Sequence, residues 1–140
     1  MASTATARKP DAAPAVLGLA PYLCVDGATR AAAFYARAFG AEEVARHPVD
    51  DKGRTMHVHL YVNGGSLMLS DAYPEHGYGL EKPQGYTLHL QVPDPQKAWD
   101  RAVEAGAEIA LPLQVMFWGD RYGQLRDPFG VMWSIGGPAN

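Results

Sequence analysis

The chain has 140 residues, of which 47% are hydrophobic and only 19% charged, and its formal net charge is −3. Such a length suits one ordinary domain and such a composition can fill a core, which excludes a multidomain machine and a disordered chain. The acidic balance excludes a dedicated nucleic-acid binder, which needs a basic surface. A single cysteine, Cys24, rules out both an intramolecular disulfide and a C-x-x-C zinc pair, and no apolar run approaches the roughly 18 residues of a membrane span.

Residues 1–15 are Ala, Thr, Ser and Pro around Arg8-Lys9, without the apolar stretch of a secretory signal. They read as a disordered tail on a cytoplasmic protein, ahead of one folded domain over 16–140. The run Val16 to Val25 reads as a strand ending at the turn Asp26-Gly27. Ala31, Phe34, Tyr35 and Ala38 then recur at helical spacing and predict a helix that stops at Gly40. Extended segments follow at Ala41 to His47, Arg54 to Val62 and Ser66 to Ser70, with Asn63-Gly64-Gly65 as a hairpin signal. The second half repeats this order. Tyr86 to Val92 is a strand and Pro95 to Ala105 a helix closed by Gly106. Glu108 to Leu113, Gly119 to Arg126 and Val131 to Ile135 are strands, the last two joined by the type I turn sequence Asp127-Pro128-Phe129-Gly130. Gly40-Ala41-Glu42 reappears as Gly106-Ala107-Glu108. The expected domain is therefore α+β: two tandem βαβββ modules, 16–70 and 86–136, around a Pro/Gly/Tyr-rich linker, 71–85. At that length the linker suits a functional flap.

Strand parity separates two faces, because successive side chains point to opposite sides. One is apolar, with Pro21, Leu23, Val25, Met56, Val58, Leu60, Val62, Leu67 and Leu69 in the first module and Leu88, Leu90, Val92, Trp133 and Ile135 in the second. It packs beneath the helices. The other carries Ala20, Tyr22, Cys24, His57, His59, Tyr61, Met68, Ser70, Thr87, His89, Gln91, Met132 and Ser134, without Lys or Glu. Aromatic and small polar groups without charge are the lining of a concave pocket rather than of a solvated sheet.

The tandem βαβββ order, Val92-Pro93-Asp94 after an opening strand and the D-P-x-G turn before the last strand resemble the vicinal oxygen chelate superfamily of glyoxalases, extradiol dioxygenases and bleomycin resistance proteins. Trp118 to Trp133 and Leu67-Met68-Leu69-Ser70-Asp71 are similar to its PhnB-like subgroup. The resemblance spans Leu17 to Gly136. It implies a cup-shaped mixed sheet with helices on its outer face. It also implies, for the family's enzymes, a divalent metal held by His or Gln on each opening strand and Glu on each closing strand. Those positions fall here on Ala20, Thr87, Ser134 and Met68 or Leu69, none a usual ligand. The expectation is therefore no metal and no cofactor, as in the family's metal-free branch, whose members largely sequester antibiotics and work as dimers.

That resemblance and the polar face lead to metal-independent binding of a small, partly aromatic organic molecule by a homodimer, with antibiotic resistance as the associated role. The ligand-binding candidates are Tyr22, His57, His59, Tyr61, His89, Trp118, Arg121 and Ser134. Tyr22, Tyr61 and Trp118 offer stacking faces, the histidines orient the ligand, and Arg121 offers either a fork for an anion or a structural pair with Asp120 or Asp127. The competing reading is a lyase, isomerase or dioxygenase-like enzyme in which His57, His59 or His89 acts as acid or base, or in which these three hold a relocated metal. Cys24 reads as a small inert residue, since nothing near it in sequence lowers its pKa. Trp99 and Trp133 read as core.

Overall fold

The computed structural model describes residues 13–139, so all but the last part of the expected tail lies outside the described residues. Two four-stranded mixed sheets carry the domain. The first module runs β1 (Tyr22–Val25), α1 (Ala28–Phe39), β2 (Glu42–Arg46), β3 (Val58–Val62) and β4 (Gly65–Asp71), and the second runs β5 (Leu88–Gln91), α2 (Pro95–Ala105), β6 (Glu108–Val115), β7 (Arg121–Arg126) and β8 (Met132–Gly137). The strand orders are β1-β4-β3-β2 and β5-β8-β7-β6, with β1/β4 and β5/β8 as the parallel pairs. This is the α+β tandem of βαβββ modules, and the two sheets stay separate rather than closing into a barrel.

Both helices form where the periodicity places them. α1 buries Ala31, Phe34, Tyr35 and Ala38 and ends at Gly40, whose φ of 71° suits a residue without a Cβ. α2 starts with Pro95 in its first turn, is capped by the Asp94 side chain on the Lys97 amide, and turns Trp99 and Ala102 inward. The helices pack against each other, and one aromatic cluster locks the modules together. Phe39 stacks on Trp133 at 4.1 Å, Tyr35 lies 5.1 Å from the same indole, and Phe34 meets Phe129 edge-on. At its centre the buried Asp127 carboxylate accepts hydrogen bonds from the Tyr35 hydroxyl, from Trp133 Nε1 at 2.9 Å and from the amides of Phe129 and Val131. Four donors keep that charge satisfied in the core.

Two expectations are corrected. Only Tyr22–Val25 of the first run is strand. Gly18 takes φ +57°, and the Leu17 amide leaves the ladder for Ser66 Oγ at 2.9 Å. The third strand starts at Val58 rather than Arg54, because Asp50 gathers the Lys52 and Arg54 amides and the Arg54 guanidinium into a tight turn. Met56 is consequently 58% exposed and leaves the apolar row. The linker is partly structured. A 3-10 turn at Pro74–His76 and a Tyr73–Tyr78 bridge form a knob, and Arg54 holds it by a fork to Glu75 and by stacking on Tyr73 at 4.4 Å.

Candidate functional site

The registers set the non-helical face of each sheet. Across the first, Tyr22, Met68, His59 and Ala45 stand side by side on β1, β4, β3 and β2. Across the second, His89, Ser134 and Gln124 make the matching row on β5, β8 and β7, with Gln91, Gly136 and Tyr122 beside it. The predicted parity of Tyr22, His59, His89, Gln91 and Ser134 thus holds. Trp118 joins this face through its edge-on contact with Tyr122 at 5.9 Å. Arg121 falls on the helix side. Its guanidinium donates to Gln96 Oε1 on α2 at 2.9 Å and to the Ala139 carbonyl, so its partner is neither Asp120 nor Asp127.

Two clusters occupy these faces. In the first module, Tyr22 Oη and His57 Nδ1 are 2.7 Å apart, and the His57 ring lies between those of His47 at 5.3 Å and His59 at 6.4 Å. The Tyr61 ring meets His59 edge-on at 5.1 Å, and its hydroxyl donates to the Ala15 carbonyl. His59, only 2% exposed, places Nε2 at 2.8 Å from Ser66 Oγ. Burial holds the pKa of both His57 and His59 below the ordinary histidine value, with the charges of His47 and His59 adding to the effect on His57.

In the second module His89 stacks on Tyr122 at 5.9 Å, with Nδ1 2.7 Å from Ser134 Oγ and Nε2 2.9 Å from Gln91 Oε1. Both ring nitrogens therefore stand within hydrogen-bond distance of a side-chain partner. Gly136 supplies the seat, because a Cβ there would stand 2.9 Å from His89 Cε1.

Where the sheets meet, a cavity of about 410 Å³ brings Ser66 and His89 into one lining, against Leu19, Leu67, Leu88 and Trp133. His59 reaches it only through Ser66, and neither His57 nor Tyr61 lines it. The two histidine clusters are not in ring contact, and among the described residues no three His, Cys, Asp or Glu side chains are grouped to hold a metal ion. The positions matching the family's metal ligands do not fit the ion: Ala20 has no donor, and the Ser134 hydroxyl, buried at 1%, is spent on His89. Cys24 is solvent-exposed, and partial desolvation together with the carboxylates of Asp71 and Glu81 pushes its thiol pKa up, as suits an unreactive side chain.

Sequence reasoning missed Ser66, Tyr122, Gln124 and His47. Parity alone would have found Ser66, two residues before Met68, and would have put Tyr122 and Gln124 opposite Arg121. His47 lies beyond β2 and is brought beside His57 by the hydrogen bond from its amide to the His57 carbonyl, which no local pattern announces.

Residues 16–135 match the family model for the glyoxalase/bleomycin resistance protein/dioxygenase superfamily. An uncharacterised protein of Mycobacterium tuberculosis strain H37Rv is 40% identical over 126 residues, covering 86% of this chain and 74% of that one. Among solved structures, protein PA1353 of Pseudomonas aeruginosa superposes with a TM-score of 0.71 at 30% identity, over 87% of this chain and 98% of that one. The PhnB protein of Bacillus cereus shares the fold at a TM-score of 0.67 and 22% identity, over 85% and 98% of the two chains. On the match over nearly all of its described length, the chain belongs to the glyoxalase/bleomycin resistance protein/dioxygenase superfamily.

Proposed function

We propose that this protein binds a small, partly aromatic organic molecule without a metal, at the junction of its two sheets, and that it does so as a cytoplasmic homodimer. The observation that carries this reading is the lining of the junction cavity. Apolar walls carry four polar side chains, Asn63, Ser66, Thr87 and His89, of which Ser66 and His89 are each held by their own partners. Such a site gains affinity from apolar burial and orientation from a few fixed hydrogen bonds. The saturation of both His89 nitrogens favours recognition over proton transfer, since a general base needs a free lone pair within reach of the substrate. The competing enzymatic reading requires Gln91 or Ser134 to release the imidazole first.

A second copy suits the exposed apolar groups flanking both faces. Leu19 is 99% exposed and Tyr22 53% on the first module, and Phe117 is 95% exposed and Trp118 51% on the second. Tyr22, Tyr61 and Trp118 would then add stacking surface to a pocket shared between chains. A role in antibiotic sequestration is the family-level extension of this reading.

The test is a thermal-stabilisation screen of aromatic metabolites and antibiotics on the full chain, followed by titration of any hit against His89→Ala and Ser66→Ala. Binding predicts saturable stabilisation, weakened about 10-fold by either variant, with the compound recovered unchanged. Chemical conversion of the hit, reduced about 100-fold or more by His89→Ala, would replace the binding reading by catalysis.

A further inference from the structure

A second cavity, of about 340 Å³, lies on the helical side of the molecule, where the end of α1 meets the start of α2. Ala38, Phe39, Leu90, Val92 and Ala98 give it an apolar floor, and Lys97 and Arg101 stand at its rim. It adjoins the junction cavity across Asn63 and Leu90 but contains none of the histidines. Phe39 presents one ring face to Trp133 and is only partly buried, so the ring also serves as a wall.

The charges at the rim are unbalanced. Lys97 and Arg101 sit four residues apart on one helix, where two like charges repel. Arg101 is partly satisfied, because its guanidinium donates to the Ala36 and Arg37 carbonyls at the end of α1. Lys97 forms no ion pair among the described residues. The carboxylate in the lining, Asp94, is turned to the backbone amide of Lys97 as the cap of α2, and Asp100 accepts from Gln96. The lining thus holds two cations, Lys97 and Arg101, against the single carboxylate of Asp94, and this net positive charge above an apolar floor is complementary to a carboxylate carried on a hydrocarbon or aromatic body. The volume lies at the lower end of the range for small-molecule sites, roughly 300–1,000 Å³, which sets the ligand's size.

From this we infer that the cleft between α1 and α2 is a second binding site, separate from the histidine faces, for a small organic monocarboxylate whose apolar part rests on Phe39, Leu90 and Val92 and whose carboxylate pairs with Lys97. The experiment titrates the full chain with 1-naphthoate, following the backbone and Asn63 side-chain amide signals by NMR, in wild type, Lys97→Gln and His89→Ala. Lys97 is exposed, so its replacement leaves the fold intact, and an unchanged melting temperature confirms this. The expected result is saturable binding that shifts Asn63 and the Lys97 region. Lys97→Gln should weaken it about 10-fold and His89→Ala leave it unchanged, with the neutral 1-naphthalenemethanol binding as weakly to wild type as the acid does to Lys97→Gln. Absence of saturation at millimolar probe overturns the site, as does equal affinity in Lys97→Gln. A loss seen in His89→Ala alone also overturns it, because the probe would then occupy the junction cavity.

Discussion

Asp71 closes the first module. Oδ1 accepts from the amides of Gly27 and Ala28 at the start of α1, and Oδ2 accepts from the Thr55 amide. α1 has glycine at its N-cap and no side-chain cap of its own, so a carboxylate distant in sequence takes that role and meets the positive end of the helix dipole. The residue is 5% exposed, and Asp71→Ala leaves three amides without a partner. It is expected to cost about 3 kcal/mol, read by urea unfolding. The histidines act in the other direction. Burial holds His57 and His59 below the ordinary value, so below about pH 6.5 the unfolded chain binds protons that the folded chain refuses, and stability falls as the pH is lowered. Melting should occur at lower temperature at pH 5.5 than at pH 7.5. The double variant His57→Asn, His59→Asn should show a smaller difference between the two pH values. An undiminished difference would place the effect elsewhere.

At the scale of elements, each module is a repeated solution to one packing problem, and the close contacts explain its small residues. Gly123 on β7 faces α2, where a Cβ would lie 2.6 Å from the Trp99 ring and 2.9 Å from Leu113 Cα. Gly123→Ala is expected to destabilise by about 1–3 kcal/mol through overpacking. Trp99→Phe in the same chain should return part of that loss, and calorimetry of the two variants checks both statements. Helices were legible in the sequence because their apolar spacing is a local property, and the sheet faces were legible because parity is fixed by the pleat. The boundary of the third strand was not. The residues Arg54 to His57 alternate acceptably, yet the Asp50 turn and the Asp71 to Thr55 bond hold them out of the ladder.

For the whole molecule, the exposed aromatic tip between β6 and β7 gives the proposed homodimer its test. Phe117 is almost wholly exposed and supports nothing in the described chain except the neighbouring Trp118 ring at 4.9 Å. Phe117→Asp should leave the melting of the isolated chain unchanged while reducing the mass in light scattering from that of two chains to the 15.1 kDa of one. A wild-type chain already at the mass of one would overturn the dimer.

The sequence by itself determined the fold class, the tandem repeat, both helices with their ends, and the separation of an apolar face from one bearing histidine and tyrosine. Each follows from spacing along the chain. The tertiary structure decided which polar groups share a cavity. His59 is covered and acts through Ser66, His89 is held by Ser134 and Gln91, and Arg121 turns to α2. Those outcomes depend on how two sheets meet and on hydrogen bonds between residues far apart in sequence, and spacing along one strand carries no information about either.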